Sequence, residues 1–345
     1  MKTLPTISIV TPTLNAAAIL PQYARSIVQQ DYPKHNIEVI IADGGSTDDT
    51  VARARQHLKG TGITCQILPN PLKTGEAGKA VGVKAAKGAL VLFLDSDNMM
   101  VGKNWLRRMV EPFTDPQMIG GEPWQFISRP GDSALSRYLA LLGMSDPLSY
   151  FIGNYDHLSV LSGTISGLPL AISEHKTYLS FPINPAYIPT IGANGALLRR
   201  SLFKNFNKPY LFDIDVLYEA ALKHKNLRYA KVKVPIIHLF SSTLGTFIKK
   251  QYRRVVDYQY FSLTERRSYP WQKLAQNGVI KFILACIGIV PILAQTAVGV
   301  LRSGDTAFLL HPVACYTTFV TYGFGLIKSK IVKAPASRIG WQQTQ

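Results

Sequence analysis

The sequence predicts an α/β fold with a mostly parallel central sheet, followed by apolar helices towards the carboxyl terminus. Over about the first 100 residues, short apolar segments alternate with helical patterns, the order that produces parallel strands joined by helices. The segments Ile7–Val10, Ile37–Ala42 and Leu90–Leu94 are apolar throughout and too short for typical helices. They are therefore predicted to be strands buried on both faces.

Composition limits the class of protein. A chain of 345 residues with 47% hydrophobic residues can bury a large core, which excludes a disordered protein. The balance of 38 Lys and Arg against 21 Asp and Glu gives a net charge of +17, which implies an anionic partner such as nucleic acid, phosphorylated small molecules or a membrane surface. We expect no nucleic-acid partner, because the chain carries no helix-turn-helix, zinc-finger or RNA-binding aromatic motif. The three cysteines lack metal-ligand spacing and are expected to be buried thiols in a reducing compartment.

The elements between the first strands follow from local signals. A helix is predicted from about Ala16 to Gln30, where Tyr32 and Pro33 stop it. The second strand ends in a loop rich in Gly, Ser, Thr and Asp, which caps a helix running to about Leu58. A third strand is predicted at Thr64–Leu68, and a further helix leads to the strand Leu90–Leu94. Later segments predict a helix at 105–116 and strands at 118–126 and 232–237.

Two carboxylates follow directly on the strand Leu90–Leu94. Open α/β sheets bind ligands beyond the carboxyl ends of their strands, which is where Asp95 and Asp97 lie. Ser96 and Asn98 favour a turn, so that the two side chains can converge. Converging carboxylates repel each other unless a cation lies between them, and oxygen ligands suit Mg²⁺ or Mn²⁺ bound together with substrate phosphates. The alternative is an Asp-rich turn with solvated carboxylates.

Two other loops have competing interpretations. Asp43, at the end of the second strand, could accept hydrogen bonds from a base or ribose, or could stabilise its own turn. The Gly75–Lys79 loop resembles a phosphate cradle but lacks Walker A spacing, since Ala80 stands where a Ser or Thr is required. Lys79 could contact phosphate or be a solvated lysine at a helix start.

Three blocks resemble the signature segments of family 2 glycosyltransferases, which have the GT-A fold. These are residues 7–15, 38–50 and 90–98, in the family's order. The resemblance implies an inverting enzyme that uses a UDP- or GDP-sugar and a divalent cation, Mn²⁺ or Mg²⁺. It implies that Asp95 and Asp97 hold the cation on the sugar-nucleotide diphosphate. Within these blocks the residues assigned to donor binding are Thr11, Pro12, Thr13, Asp43, Asp95 and Ser96. Lys79, in the loop between the second and third blocks, is assigned to donor binding as well.

The catalytic base is predicted in a later block. The Gly-rich segment 191–200 and the segment that begins at Leu211 resemble the strand and catalytic helix of the family, whose members carry Glu-Asp with the Asp as the proposed general base. Asp215 matches that Asp, and a carboxylate there could take the acceptor hydroxyl's proton. Ile214 replaces the Glu, which leaves Asp213 as a rival. An Asp favoured at a helix start by the macrodipole is the alternative role for Asp215.

Two further groups complete the predicted site. His238 follows a predicted strand and could be a third metal ligand, a phosphate contact or a hydrogen-bonded core histidine. The segment Gln251–Val255 resembles the Gln-x-x-Arg-Trp element of membrane-bound processive members, which implies diphosphate contacts from Gln251 and Arg254. Val255 replaces the Trp, which argues against synthesis of long polymers. Arg253 and Arg254 could instead be a solvated or lipid-facing pair.

The predicted domains are a GT-A domain at 1–245, a basic juxtamembrane connector at 246–277, a transmembrane or re-entrant hairpin at 278–330 and a cytosolic tail at 331–345. Within the first domain, residues 133–190 are rich in aromatics, Gly and Pro and low in charge. They are expected either to pack in the core or to form an insertion that contacts the acceptor or the membrane.

The hairpin rests on two apolar stretches. Val279–Leu301 contains one charged residue, Lys281, and Ala307–Ile327 contains none. Each is long enough to cross about 30 Å of hydrocarbon, although Pro291 and two glycines leave a re-entrant or interfacial pair as the alternative. Both flanks carry basic residues, which predicts cytosolic ends: Arg266, Arg267, Lys273, Lys328, Lys330 and Lys333. Between 223 and 273, 12 basic residues face two acidic ones, an arrangement suited to anionic lipids.

Together these features predict a glycosyltransferase at the cell membrane with a cytoplasmic catalytic domain, since the first residues show no signal peptide. The expected acceptor is a polyisoprenyl phosphate or a lipid-linked saccharide. A catalytically inactive GT-A membrane scaffold and a metal-dependent nucleotidyltransferase are the alternatives.

Overall fold

The computed structural model describes residues 4–265, 267–328 and 334–338. It contains two compact units, each made of two main segments of the chain. The first unit includes Met1–Trp124 and Leu170–His238, and the second includes Gln125–Pro169 and Leu239–Ile339. The predicted domain 1–245 is therefore interrupted. Arg266, Lys330, Lys333 and most of the predicted tail 331–345 lie outside the described residues.

Eleven α-helices are present in the described part of the chain. In chain order they are α1 Leu20–Val28, α2 Thr50–Leu58, α3 Gly75–Ala85, α4 Trp105–Val110, α5 Ala134–Leu142, α6 Pro147–Ile152, α7 Asp213–Lys223, α8 Leu244–Thr264, α9 Trp271–Gly288, α10 Val290–Ser303 and α11 His311–Lys328. Short 3₁₀ helices lie at Lys34–Asn36, Glu111–Thr114, Arg200–Phe203 and Thr306–Leu310.

The amino-terminal half of the sheet is parallel, as the alternating pattern predicts. Its spatial order is β3-β2-β1-β4, and α1, α2 and α3 connect successive strands along the chain. Parallel pairing joins β1 to β2, β2 to β3 and β1 to β4. These strands are β1 Ile7–Thr13, β2 Ile37–Asp43, β3 Thr64–Pro69 and β4 Leu90–Leu94.

The other half of the sheet is largely antiparallel, so the prediction of a mostly parallel sheet is wrong beyond β4. The sheet continues in the order β9-β6-β10-β8-β7, with β5 paired to β10. The strand β9 starts beside the carboxyl end of β4, where the Asp95 N–H donates to the Ala193 carbonyl, so it must run in the opposite direction. These strands are β5 Asn98–Met100, β6 Met118–Ile127, β7 Ser173–Glu174, β8 Tyr178–Pro182, β9 Asn194–Arg199 and β10 Arg228–His238.

The core of the first unit lies between the parallel strands and their helices. Every residue of β1 and β4 is buried, as expected for strands covered on both faces. The helix α3 packs very close to β1, because a Cβ added to Gly82 would lie 2.2 Å from Cγ1 of Val10. Only glycine fits at this position, and the close approach brings the start of α3 to the edge where β1 and β4 end.

The second unit is helical and contains two apolar clusters. One joins α5 and α8 to the segment around Phe308, with Tyr138 and Phe247 fully buried. The other joins α9, α10 and α11 through Phe282, Ile292 and Cys315. The predicted insertion 133–190 is divided, since α5 and α6 belong to this unit while β7 and β8 belong to the first. All three cysteines are free, and two of them are buried.

The predicted span Val279–Leu301 is not one helix. It breaks at Ile289, whose φ of 59° lies in the left-handed region, and Pro291 follows at the start of α10. Within the described residues, no single helix has the length and mean hydropathy needed to cross a bilayer. The segments Ala275–Gly288 and Val290–Ser303 meet both criteria only as a pair, and they are bent by 93° at the break. The expectation of two continuous transmembrane helices is therefore not confirmed.

Candidate active site

The Asp-x-Asp segment forms the turn expected at the end of β4. The Asn98 N–H donates to the Asp95 carbonyl at 3.0 Å and closes a four-residue turn. The Asn98 side-chain amide donates to Oδ1 of Asp97 at 3.1 Å, which orients that carboxylate. Ser96 and Asp97 are buried, and Asp95 is partly exposed. The turn holds both acids at the carboxyl edge of the parallel strands, where ligands bind in open α/β sheets.

The electrostatics of this turn suit a cation. Burial and then the neighbouring Asp97 carboxylate raise the pKa of Asp95 to about 8. Among the described residues, no hydrogen-bond donor reaches the buried Oδ1 of Asp95. A carboxylate oxygen without a partner next to a second carboxylate is a donor set that fits a hard divalent cation. Asp95 and Asp97 are therefore the residues that would hold one.

A buried ion pair lies beside this turn. Lys79 of α3 and Asp213 of α7 are in direct contact, with side-chain exposures of 8% and 5%. Burial alone would lower the pKa of Lys79, but Asp213, Glu76 and Asp95 together raise it, so the ammonium stays charged. The alternative of a solvated lysine is wrong. Contact with phosphate stays a prediction, because the bond to Asp213 occupies only part of the ammonium's donor capacity.

The first turn of α7 carries two acids. Asp213 and Asp215 are both buried there, where the helix macrodipole favours negative charge. Burial raises the pKa of Asp213 and Lys79 counters part of that rise, while Oδ1 of Asp213 has no hydrogen-bond partner among the described residues. The Leu211 N–H donates to the Glu76 carbonyl at 2.9 Å, which ties the start of α7 to α3. Both acids that compete for the base role therefore lie at one helix start, and Asp213 is close enough to Asp95 to affect its pKa.

Asp43 stabilises its own turn. Its Oδ2 accepts from the N–H groups of Gly45 and Ser46 at 3.0 and 2.9 Å, and its Oδ1 accepts from the Ser46 hydroxyl at 2.6 Å. The Thr13 hydroxyl also donates to Oδ1, at 3.2 Å. A cleft of about 270 Å³ opens beside the turn, lined by Asp43, Gly44, Gly45, Ile67, Leu68, Pro69, Asn70, Pro71 and Lys73. The turn alternative is thus confirmed, and recognition of a base or ribose in this cleft stays a prediction.

The other residues of the first predicted turn are interior. Thr11 is fully buried and its hydroxyl bonds that of Tyr23, so this side chain serves packing and not an open surface. Pro12 packs against α3, since a Cβ added to Gly78 would lie 2.7 Å from Cβ of Pro12. Any contribution of Thr11 and Pro12 to nucleotide binding therefore comes through their backbone or through the position they give to Thr13.

His238 lies beside the Asp-x-Asp turn at the level of the backbone. It is the residue paired with Asn98 in the antiparallel ladder between β10 and β5. Its side chain is half-buried. The structure therefore brings His238 to the same edge as Asp97, and its role as a metal ligand stays a prediction.

Gln251 and Arg254 belong to α8 in the second unit and bond each other there. Gln251 is fully buried, and its amide donates to the Ser145 carbonyl at 2.7 Å. Its Oε1 accepts from Arg254 at 3.3 Å and from the Tyr322 hydroxyl at 3.1 Å. Arg254 also pairs with Asp146 at 3.3 Å. These contacts give Gln251 a structural role. The Arg254 side chain is 40% exposed, so its contact with diphosphate and its alternative as a solvated or lipid-facing residue both stay predictions.

Sequence reasoning missed the pair of Lys79 with Asp213, and it gave Glu76 no role. A signal was present, because a lysine buried in a helix start requires a carboxylate partner and α7 carries two. What the sequence could not supply was the choice of partner. That choice depends on the packing of α3 against the segment before α7.

The α/β sheet has a parallel half followed by antiparallel strands, with an Asp-x-Asp turn at its carboxyl edge. This arrangement is that of the GT-A-like fold. The model of the family "Glycosyl transferase family 2" matches residues 8–152. This match covers 145 of the 345 residues, and apart from Ile7 it includes the three blocks that resemble the family's signature segments.

The similar proteins are glycosyltransferases by name. Glycosyltransferase AglE of Haloferax volcanii is 29% identical over 144 residues, which cover 41% of this chain and 47% of that protein. The GalNAc(5)-diNAcBac-PP-undecaprenol beta-1,3-glucosyltransferase of Campylobacter jejuni is 31% identical over 99 residues, which cover 28% of this chain and 31% of that protein. Both alignments span less than half of the relative.

A solved structure shares the fold. It is that of the mannosyltransferase PcManGT from Pyrobaculum calidifontis in complex with GDP-Man and Mn²⁺. The TM-score is 0.55 at 16% identity, and the match covers 96% of this chain and 89% of that one. At 16% identity the likeness supports the GT-A fold and does not identify the donor or the acceptor of this chain.

Proposed function

We propose that this protein is a membrane-associated, inverting glycosyltransferase. It transfers a sugar from a UDP- or GDP-sugar to a polyisoprenyl phosphate or lipid-linked saccharide at the cytoplasmic face of the cell membrane. The observation that carries the proposal is the convergence of Asp95, Asp97, Asp213 and Lys79 at the carboxyl edge of one sheet. Such a cluster fits a sugar nucleotide, because a diphosphate with its cation needs both carboxylate ligands and positive charge.

Residues of this chain have separate roles in the proposed reaction. The acceptor's nucleophile, a hydroxyl of a lipid-linked saccharide or a phosphate oxygen of a polyisoprenyl phosphate, attacks the anomeric carbon. The bond from that carbon to the diphosphate oxygen breaks, and the nucleoside diphosphate leaves with the electron pair. Where the nucleophile is a hydroxyl, its proton must go to a base. Asp215 takes the hydroxyl proton, with Asp213 as the alternative base. Lys79, kept charged by its carboxylate neighbours, adds positive potential near the leaving group. When bound, a divalent cation on Asp95 and Asp97 would supply Lewis-acid stabilisation of the departing diphosphate.

Relatives support the donor and acceptor classes. The structural neighbour PcManGT binds GDP-Man and Mn²⁺, and the Campylobacter jejuni relative is named for an undecaprenol-linked acceptor. The strongly basic composition of this chain and its apolar carboxyl-terminal helices suit an acceptor held at an anionic membrane. An acceptor confined to the same surface as the enzyme has a raised effective concentration.

The test begins with purified full-length protein, Mn²⁺ or Mg²⁺ and a panel of UDP- and GDP-sugars, with release of nucleoside diphosphate as the readout. Addition of polyisoprenyl phosphate should increase the release, and the anomeric configuration of the product reports inversion. Release of pyrophosphate with transfer of the nucleotide would instead show a nucleotidyltransferase.

Variants assign the roles. We expect Asp97→Asn to lower turnover about 1000-fold, because a bound metal supplies several kcal/mol to the transition state. Asp215→Asn should lower it about 100-fold or more, the contribution of a general base. Glu219→Gln is the matched control, because Glu219 lies one turn further along α7 and pairs with Lys208 at the surface. No turnover of any donor by the unchanged protein would favour an inactive scaffold, and full activity of Asp97→Asn would contradict the role of Asp97 in holding the cation. A loss confined to Asp213→Asn would move the base to Asp213.

A further inference from the structure

The helices α9 and α10 form an elbow, defined here as residues 275–303. Its two arms are Ala275–Gly288 and Val290–Ser303, with a bend of 93° at Ile289. Pro291 lacks an N–H and its ring clashes with the carbonyl four residues earlier, so α9 cannot continue through it. The elbow is therefore built into the sequence at this point.

The first arm is apolar on both faces. Phe282, Ala285 and Cys286 are buried in the cluster shared with α11. The opposite face carries Ile280, Ile283, Leu284 and Ile287, spaced three and four residues apart as one helical stripe. Leu284 is 62% exposed and Ile287 is 68% exposed. After the exposed polar residues Gln276, Asn277 and Lys281, the arm is apolar all round from residue 282 to residue 288. Such a helix belongs in a protein core or in lipid, and the core covers only one side here.

The stripe continues along the second arm. Val290, Leu293, Val298 and Leu301 are exposed at helical spacing, while Ile292, Thr296 and Gly299 are buried on the other face. The one charged side chain between residues 275 and 301 is Lys281, which is exposed and long enough to reach a headgroup from an apolar surface. From residue 282 to residue 301, every exposed side chain of the elbow is apolar, and this surface is larger than scattered exposed residues would give.

The net charge of the carboxyl-terminal segment indicates whether the elbow contacts a lipid bilayer or a second copy of this chain. From residue 266 to residue 345 the sequence has nine Lys and Arg against one acidic residue, Asp305. Asp305 is paired with Arg137 at 3.0 Å and so neutralises none of the nine, while Arg338, one of the nine, is paired with Asp257 at 2.7 Å. A second copy would bring the same positive charge to the interface, whereas anionic lipid headgroups attract it. The surface therefore complements an anionic bilayer better than another copy of this chain.

Geometry limits the depth of insertion. Each arm of 14 residues is about 21 Å long, which is short of the roughly 30 Å of hydrocarbon in a bilayer. The bend directs the second arm almost perpendicular to the first, so their lengths do not add across the membrane. Amphipathic helices of this kind lie in the headgroup and upper acyl region.

We propose that the elbow docks the protein onto an anionic lipid bilayer from one side, with Leu284 and Ile287 inserted, and does not cross it. This inference deepens the proposed function and rests on its membrane-bound acceptor, but binding to lipid is measured without sugar transfer. It replaces the predicted transmembrane hairpin with a one-sided element.

The first experiment measures flotation of the full chain with vesicles of phosphatidylcholine alone or mixed with phosphatidylglycerol. We expect binding to the mixed vesicles that weakens with salt and little binding to phosphatidylcholine alone. Leu284→Glu/Ile287→Glu should lower the partition coefficient about 100-fold, because two apolar side chains no longer leave water. Leu222→Glu is the matched control, since Leu222 is 61% exposed in the first unit, and it should bind like the unchanged chain.

Three results would overturn the docking: no flotation of the unchanged chain, equal flotation of the double variant, or a dimer without vesicles that the double variant abolishes. Nucleotide-sugar hydrolysis without vesicles should be unchanged in the double variant. Absence of nucleotide-sugar hydrolysis by the unchanged chain would count against the proposed function, but it would not affect the inference of lipid binding.

The second experiment tests sidedness. Thr306 is exposed just beyond the second arm, and Cys65→Ser removes the one native thiol that is only half-buried. In intact spheroplasts of a bacterial expression host, Thr306→Cys on that background should escape a membrane-impermeant maleimide and become labelled after lysis. Labelling of intact spheroplasts, or none after lysis, would overturn the one-sided geometry.

Discussion

Replacing Lys79 by methionine tests whether the site depends on a buried ion pair. The substitution keeps the length of the side chain and removes its charge. Asp213 would then be a buried carboxylate without a cation, close to Glu76 and to Asp95, which ionises above its pKa of about 8. Breaking a buried pair by removal of one partner costs about 3 to 5 kcal/mol. Since both partners here are over nine-tenths buried, we expect Lys79→Met to lower the free energy of unfolding by at least about 3 kcal/mol.

The loss should depend on pH. In the variant, the folded-state pKa of Asp213 lies above its value in the unfolded chain, so the folded protein binds more protons between those two values. The free energy of unfolding of the variant should therefore fall as pH rises through that window. The difference from the unchanged protein should be larger at pH 8 than at pH 5.

Urea denaturation at the two pH values measures this. Lys84→Met, an exposed lysine on the same helix, is the control and should change the free energy of unfolding by less than about 0.5 kcal/mol. Lys79→Met/Asp213→Leu should recover most of the stability, because apolar replacement of a buried pair is often neutral, while turnover stays lost. A Lys79→Met variant as stable as the control at pH 8 would refute the reasoning.

Three further predictions concern the metal site, the core and the elbow. The affinity for Mn²⁺ should weaken about tenfold per pH unit below about pH 8, because the ion displaces a proton from Asp95, whose pKa is about 8. Calorimetry in two buffers with different ionisation enthalpies should detect that proton. An affinity for Mn²⁺ that is independent of pH between 6 and 8 would contradict this prediction. Gly82→Ala should destabilise the first unit by about 1 to 3 kcal/mol, because the new Cβ would meet Cγ1 of Val10 at 2.2 Å. Adding Val10→Ala should restore part of the lost stability. An unchanged urea midpoint for Gly82→Ala would show that the strand β1 can move away. Ile289→Gly should raise the free energy of unfolding by about 1 kcal/mol through relief of its positive φ, whereas a lower value would show that the side chain's contacts outweigh the strain.

Local patterns predicted the elements of the amino-terminal half well. The strands β1, β2, β3 and β4 appear where short apolar runs predicted them, because such runs are covered on both faces by helices whose own patterns are strong. The turn after β4 formed as Ser96 and Asn98 favour, and it placed Asp95 and Asp97 together. The antiparallel half was not predicted, because the direction of β9 depends on the edge at which the chain re-enters the sheet.

The carboxyl-terminal helices show a different limit. Hydropathy measures the tendency of a segment to leave water and carries no information on direction, so Val279–Leu301 predicted one straight span. Pro291 was visible as a possible interruption, but the 93° bend at Ile289 and the burial of one face against α11 arise from packing.

By itself, the sequence determined where the candidate residues lie, namely acids at strand ends and helix starts, together with a strongly basic balance and an apolar carboxyl-terminal segment. Such features are local, since they follow from side-chain type and from spacing along one element. Only the tertiary structure decided that Lys79 pairs with Asp213, that Gln251 is buried, and that one face of the elbow remains uncovered. Partners of this kind lie far apart in the chain, and burial of charge makes their choice depend on the packing of whole helices, which no single segment encodes.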